Sequence, residues 1–165
     1  EEAMSVADRI AIIADGEMIE QGSPKQIYSN PKKKFTAEFI GEKNIFNGKV
    51  LDVNKSTILV DIESDKIEVA NKNYKIIKNQ DVSLSIKSES IKVDKLKVSK
   101  QPQENKAIKG KITEITFLGQ FVRYLVLLNN NQEIQVRSHD EVSNINVNDD
   151  VMLSWRLEDF LVHEG

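Results

Sequence analysis

The side chains that could do acid–base or metal chemistry are few and poorly spaced for it. The two histidines, His139 and His163, have no second histidine or carboxylate at the i+4 spacing of a helical metal pair. Adjacent carboxylates occur at Glu1-Glu2, Asp149-Asp150 and Glu158-Asp159, and neighbours in a strand point to opposite faces. We therefore predict no catalytic, metal-binding or cofactor-binding residues in this chain. We expect a loop at His139, a chain-end position for His163 and a turn at Asp149-Asp150.

Two features allow both a structural and a functional interpretation. Trp155, the lone tryptophan, alternates with Val151 and Leu153 as a core residue does, and a stacking platform for a ligand is the alternative. Lys32-Lys33-Lys34 stands at the predicted start of a helix, where cations oppose the helix dipole. A solvated face is the simple interpretation of these lysines, and an acidic partner or an anionic lipid is the alternative.

Composition argues against several classes of function. The net charge is −3, aromatic residues make up 6% of the chain, and only 4 of the 23 basic residues are arginine, so nucleic-acid binding is not expected. Cysteine is absent, which excludes disulfides and thiolate chemistry. No apolar run approaches the ~20 residues that cross a bilayer, so we predict no direct membrane insertion.

Residues 1–43 combine helix and strand signals and are predicted to form a small α/β piece. Ile10–Ala14 is an apolar run typical of a strand buried on both faces, and Asp15-Gly16 suits a hairpin turn. Ser23-Pro24-Lys25-Gln26 has the pattern of a helix start. The remaining predicted elements are a helix over residues 1–8, a return strand over 17–21 and a second helix from Asn30-Pro31 to Gly41.

From Asn44 onwards the pattern changes to short strands and polar turns, and it repeats. Residues 79–93 (NQDVSLSIKSESIKV) align with residues 148–162 (NDDVMLSWRLEDFLV) with seven identities in fifteen positions, and Gly48-Lys49-Val50 aligns with Gly110-Lys111-Ile112. We therefore predict a mainly β region of two OB-like barrel units, over about 44–93 and 107–165. The polar, proline-containing residues 94–106 are predicted to link them.

Both parts of the chain carry a family resemblance. Residues 1–31 (EEAMSVADRIAIIADGEMIEQGSPKQIYSNP) and 35–42 (FTAEFIGE) resemble the C-terminal end of the ATP-binding subunit of bacterial ABC importers for polyamines, iron, sulfate and sugars. Residues 41–46 (GEKNIF) are most similar to the spermidine/putrescine importers. Phe117-Leu118-Gly119, residues 122–126 and residues 151–155 are similar to the regulatory β domain of that group, the TOBE domain.

This resemblance implies a domain division and a function. Residues 1–43 would be the end of a P-loop nucleotide-binding domain, and residues 44–165 a regulatory and dimerisation domain built from interleaved OB-like barrels. The parent subunit would bind ATP and Mg²⁺, contact permease subunits and lie in the cytoplasm on the inner face of the cell membrane. The sequence itself has no Gly-x-x-x-x-Gly-Lys loop and no Leu-Ser-Gly-Gly signature, so we predict no ATPase activity for this chain.

Two further expectations follow. We expect the chain to form a homodimer, because the exposed edges of small barrels and the apolar strand Ile10–Ala14 favour self-association. Sensing of a small oxyanion is the alternative function, since related duplicated OB-like modules bind such ligands.

Overall fold

A computed structural model describes residues 8–33, 35–36, 43–63, 65–97, 103–142 and 144–164. The predicted helix over 1–8 lies almost wholly outside these residues, as does most of the helix predicted from Asn30 to Gly41. The described part is mainly β, as predicted. Its elements are β1 (Ile10–Ala14), β2 (Glu17–Gly22), α1 (Pro24–Ser29), β3 (Lys43–Val53), β4 (Thr57–Asp61), β5 (Lys66–Ala70), β6 (Asp81–Lys87), the 3₁₀ turn η1 (Ser88–Ser90), β7 (Lys92–Lys95), β8 (Ala107–Phe117), β9 (Val122–Leu127), β10 (Glu133–Ser138), β11 (Asp150–Ser154), the 3₁₀ turn η2 (Leu157–Asp159) and β12 (Leu161–Glu164).

The strands β1 and β2 form an antiparallel hairpin closed by Asp15 and Gly16. Both turn residues have positive φ, 52° and 78°, which is the geometry that favours an Asp-Gly pair. The prediction that β1 is buried on both faces is wrong, because Ile12 is 6% exposed but Ile13 is 65% exposed. Among the described residues β1 pairs only with β2. The face of this two-stranded sheet that carries Ile12 is buried, and the face that carries Ile13 is exposed.

Helix α1 begins where the sequence predicts. Ser23 is its N-cap, with extended backbone, and its Oγ accepts a hydrogen bond from the backbone N–H of Gln26 at 3.2 Å. Pro24 occupies the first turn, where its missing N–H costs nothing. The side chain of Ile27 is fully buried, and α1 contacts strand β2 of the hairpin.

The remaining strands form two five-stranded antiparallel sheets of the same design. The strand order is β12-β6-β3-β4-β5 in the first sheet and β10-β9-β8-β11-β7 in the second. Each sheet takes four strands from one sequence repeat and one from the other, because β12 pairs with β6 and β7 pairs with β11. Asp94 and Lys95, which the sequence placed in the linker 94–106, are therefore the end of a sheet strand.

The strand exchange follows the repeat residue by residue. Val162 of β12 lies opposite Leu84, and Val93 of β7 lies opposite Leu153. Leu84 and Leu153 are aligned positions of the repeat, and so are Val93 and Val162. Each repeat thus passes its last strand to the other in the same register, so the duplicated OB-like unit of the prediction is present as an interleaved pair.

The turns of the two repeats are also equivalent. Asn79 and Asn148 both have positive φ, 71° and 75°, a conformation that asparagine adopts more readily than most residues. The N–H of Asn79 donates to the carbonyl of Val50 at 2.8 Å, and the N–H of Asn148 donates to the carbonyl of Ile112 at 2.8 Å. The same asparagine therefore closes the same corner of both barrels.

Each repeat also needs its glycine for space. A Cβ at Gly48 would lie 2.5 Å from the carbonyl oxygen of Asp61, and a Cβ at Gly110 would lie 2.4 Å from Cγ1 of Val126. In both strands the register shifts just after the glycine, which marks a bulge. The aligned glycines therefore let β3 and β8 approach their neighbours closely where each barrel bends.

One hydrophobic core runs through both sheets. Its largest fully buried side chains are Tyr124, Phe46 and Phe160. The Tyr124 hydroxyl accepts a hydrogen bond from the N–H of Val142 at 2.9 Å, which satisfies its polar end. Trp155 packs edge-on against Phe160 with ring centroids 5.1 Å apart, so the tryptophan belongs to the margin of the core.

Candidate functional site

The residues considered for chemistry are dispersed in the structure. No group of three or more histidine, cysteine or carboxylate side chains that could hold a metal ion occurs in the part of the chain that the structure describes. His139 lies in an exposed loop after β10, as expected. Asp149 ends the turn before β11, but the expectation of a turn is wrong for Asp150, which is the first residue of β11. Glu158 and Asp159 lie in η2 and not in a strand. There the Asp159 carboxylate accepts a hydrogen bond from Arg156 Nη2 at 3.0 Å and caps the 3₁₀ turn.

Polar side chains instead connect separate parts of the fold. Asn44, at the start of β3, is 7% exposed and reaches the other sheet. Its Nδ2 donates to the carbonyl of Gln135 at 2.8 Å, and its Oδ1 accepts from the N–H of Gln135 at 2.8 Å. Gln132 Nε2 also donates to the carbonyl of Ile45. These bonds pair β3 with β10 across the boundary between the two sheets.

A second set of polar contacts lies where residues 8–33 meet the first sheet, and it begins at Glu20, whose hydrogen bonds hold residues 8–33 together. This β2 residue is 8% exposed. Its carboxylate accepts backbone N–H bonds from Lys32, at 2.9 and 3.1 Å, and from Lys33, at 3.1 Å, and a side-chain bond from Gln26 at 3.0 Å. Burial raises the pKa of Glu20, but these bonds favour the ionised form and outweigh it, so the pKa is lowered.

Lys43 extends the contact from helix α1 to β3. Its Nζ donates to the backbone carbonyl of Tyr28 at 2.7 Å and lies 5.7 Å from the centre of the Tyr28 ring. Lys87, at the end of β6, approaches the same ring to 5.4 Å. Burial lowers the pKa of Lys43 to about 8, and the positive charge of Lys87 acts in the same direction.

His163 is a deeply buried member of this set. It lies on β12, is 1% exposed, and its Nε2 shares a 2.7 Å hydrogen bond with the hydroxyl of Ser85. The pKa of His163 is lowered to about 4; burial is the main cause, the charge of Lys43 acts in the same direction, and the Glu20 carboxylate opposes it. The expectation of a simple chain-end position for His163 is therefore incomplete, because the exchanged strand β12 carries the imidazole into the first barrel.

We call Glu20, Tyr28, Lys43, Ser85, Lys87 and His163 the junction cluster. It brings together β2, α1, β3, β6 and β12. Within it, the hydrogen bond from Lys43 Nζ to the carbonyl of Tyr28 links residues 8–33 to the first barrel, so a movement of residues 8–33 relative to that barrel would have to break this bond. The sequence identified the strands and helix that carry these residues but did not select the residues themselves. The signal available was a histidine directly after the apolar pair Leu161-Val162, in a segment predicted to be a strand.

The buried imidazole makes stability depend on pH in a defined window. The folded pKa of about 4 lies below the ordinary 6.5, so the unfolded chain binds the proton more readily and stability falls as pH drops from 6.5 towards 4. We expect His163 to account for about 2 kcal/mol of lost stability between about pH 7 and pH 5. Urea unfolding at the two pH values measures this, with His163→Gln compared with wild type.

The matched control is His139→Gln, which removes the exposed imidazole. This variant should retain the full pH dependence, whereas His163→Gln should lose about 2 kcal/mol of it. Equal pH dependence in all three proteins would show that His163 titrates normally and is not buried as described.

Comparison with known proteins identifies relatives of both parts of the chain. Residues 84–162 match the TOBE domain family. The chain is 30% identical, over 96% of its length, to the spermidine/putrescine import ATP-binding protein PotA of Trichormus variabilis, and 32% identical over 96% to that of Mycoplasmopsis synoviae. The corresponding protein of Clostridioides difficile is 33% identical over 82% of the chain. The alignments cover 41%, 32% and 35% of these relatives, so the chain spans about two fifths of their length or less.

A solved structure shares the fold. The cytoplasmic molybdate-binding protein ModG, in a form with molybdate bound, is similar with a TM-score of 0.64 and 14% identity, over 76% of this chain and 99% of that one. None of the described helices has the length and hydropathy needed to cross a membrane.

Proposed function

We propose that the chain is part of a bacterial ABC-importer ATP-binding subunit that carries a TOBE domain, and that residues 44–165 are the regulatory and dimerisation module of that subunit. The observation that supports this most directly is the extent of the similarity, which covers 96% of the chain and so includes both residues 8–33 and the paired barrels. The names of the relatives favour spermidine and putrescine as the transported substrates.

The proposed working of the module follows from the junction cluster. Residues 8–33 would belong to the nucleotide-binding part of the subunit, which binds ATP and Mg²⁺ through motifs that this sequence does not contain. Movement there would reach the barrels through the Lys43–Tyr28 bond, and the Glu20 carboxylate would keep Lys32 attached to β2 during it. Permease subunits would be the partners of the nucleotide-binding part and would hold it at the cytoplasmic face of the membrane.

Self-association tests the dimerisation part of the proposal. We expect sedimentation equilibrium of the 165-residue chain to show a dimer at high micromolar concentration. The exposed pair Ile13 and Met18, which lie opposite each other on β1 and β2 and are 65% and 59% exposed, could associate independently of the barrels. The double variant Ile13→Ser/Met18→Ser therefore identifies the surface that associates.

A dimer that persists in the double variant would support association through the barrels, as proposed. A dimer that disappears would assign association to the hairpin, and a monomer in both proteins would contradict the dimerisation module.

A second candidate function is binding of a small oxyanion by the barrels. It is supported by the fold shared with a molybdate-binding protein. Titration calorimetry with molybdate, sulfate, phosphate and spermidine separates the alternatives, since heat from an oxyanion alone would favour a sensor. Absence of heat with every oxyanion at millimolar concentration would remove this second candidate.

A further inference from the structure

Three lysines converge on one cleft beside the junction cluster. Lys43 comes from β3, Lys87 from the end of β6, and Lys72 from the loop that follows β5. Ser90 of η1 lines the same cleft. The three lysines that line this cleft thus come from separate elements of the first barrel.

The carboxylates of the cleft, Glu158 and Asp159, interact both with Arg156 outside it and with Lys72, whose pKa they raise against the larger effect of burial. Glu158 and Asp159 line one side, but Arg156 lies 3.9 Å from the Glu158 carboxylate and 3.0 Å from that of Asp159. Among the described residues no carboxylate forms an ion pair with Lys43, Lys72 or Lys87. The positive charge of the cleft is therefore only partly compensated.

The lysines retain unused hydrogen-bond capacity. Lys43 donates one of its three N–H bonds, to Tyr28, and Lys72 donates two, to the carbonyls of Glu158 and Phe160 at 2.8 and 3.2 Å. Lys87 contacts the face of the Tyr28 ring. Lys43 and Lys87 also repel each other, which is one cause of the lowered pKa of Lys43. An anion placed between them would relieve this repulsion and accept the remaining N–H bonds.

We propose that the cleft between Lys43, Lys72 and Lys87 binds a small tetrahedral oxyanion of the sulfate, phosphate or molybdate class. The ligand class rests on the second candidate function, whereas the location rests on the lysines. The anion would hold β3, β6 and the loop after β5 together. Because Lys43 also donates to Tyr28 of α1, occupancy would strengthen the contact between residues 8–33 and the first barrel.

Calorimetric titration of the full chain with sulfate, phosphate and molybdate at low ionic strength tests this, using Lys87→Gln and Lys43→Gln. Each variant removes one charge-assisted contact, and we expect binding about tenfold weaker or more in each. Lys49→Gln is the matched control. It removes one positive charge from the same sheet, but Lys49 lines a different cleft, 3.8 Å from the Asp81 carboxylate. Its affinity should stay within about twofold of wild type, the change expected of a screened surface charge.

A proton-linkage measurement adds an independent readout. An anion beside Lys43 raises the pKa of its amine above about 8, so binding near that pH should take up a proton. Titrations in two buffers of different ionisation enthalpy measure this uptake, and Lys43→Gln should abolish it.

The outcomes separate the site from the function. Weaker binding in Lys43→Gln and Lys87→Gln, with Lys49→Gln unchanged, would support the site. Oxyanion binding that none of the variants alters would overturn the site and leave the second candidate function standing. No binding of any oxyanion by the wild-type chain would overturn both, without bearing on the dimerisation module, which sedimentation tests.

Discussion

Phe160→Ala should destabilise the protein by about 4 kcal/mol, the usual cost of truncating a fully buried phenylalanine. Phe160 is 0% exposed, and its ring lies 6.2 Å from that of Phe46 on β3 and 5.1 Å from that of Trp155. It therefore joins η2 of the second repeat to the first sheet. Urea unfolding followed by far-UV circular dichroism measures the loss, because Trp155 fluorescence would itself respond to the substitution.

Phe117→Ala is the control for this prediction. Phe117 is 64% exposed at the end of β8, so the same truncation should change the free energy of unfolding by less than about 0.5 kcal/mol. If Phe160→Ala were as mild as the control, the packing of η2 onto β3 would be incorrect. A large loss in one cooperative transition would instead show that the two barrels unfold together.

Single-transition unfolding is expected because of the strand exchange. β12 completes the first sheet and β7 completes the second, and one core runs through both. Neither sequence repeat therefore contains all the strands of a sheet. The repeat behaves as a unit of sequence, whereas the interleaved pair is the unit of stability.

Local chemistry explains what the sequence could predict. The Asp15-Gly16 turn and the Ser23 cap depend on neighbours within three residues, so their signals are complete in the sequence. The sequence repeat predicted the duplicated barrel correctly, because Asn79 and Asn148 form the same turn in the two repeats. The alternation of apolar and polar residues predicted the core positions of β4 and β5, where Ile58, Val60 and Ile67 are fully buried.

Pairing between distant strands explains what it could not predict. Nothing in the residues of β12 indicates that Val162 will pair with Leu84 and not with a strand of its own repeat. The burial of β1 was overestimated because an apolar run does not indicate whether other elements pack on both faces of the strand. The side chain of Ile13 lies on an exposed face.

The candidate site was hidden for the same reason. Asn44 and Gln135 are 91 positions apart, and Ser85 and His163 are 78 apart. Polar residues at such separations carry no common spacing that a sequence could display. The lysine cleft depends on the same long-range closure, so it becomes visible only once β3, β6 and the loop after β5 are placed together.

Glu20→Ala should release the backbone at Lys32 and Lys33 from β2 at a cost of about 4 kcal/mol for that segment, since bonds to a charged acceptor contribute about 1.5–3 kcal/mol each. The substitution removes the acceptor of the Lys32 and Lys33 backbone N–H groups and of Gln26. Hydrogen exchange at Lys32 and Lys33 measures the effect directly. We expect those amides to lose protection while β3 to β12 keep theirs, because their sheets do not depend on Glu20.

Glu17→Ala is the matched control, because Glu17 lies on the same strand with an exposed side chain. It should leave the two amides protected. The lowered pKa of Glu20 supplies a further check on wild type: its contribution is present above about 4.5 and is lost as pH falls below that value. Acidification should therefore reproduce the exchange pattern of Glu20→Ala, and barrels that lost protection together with residues 8–33 would show that the junction supports the β module as well as contacting it.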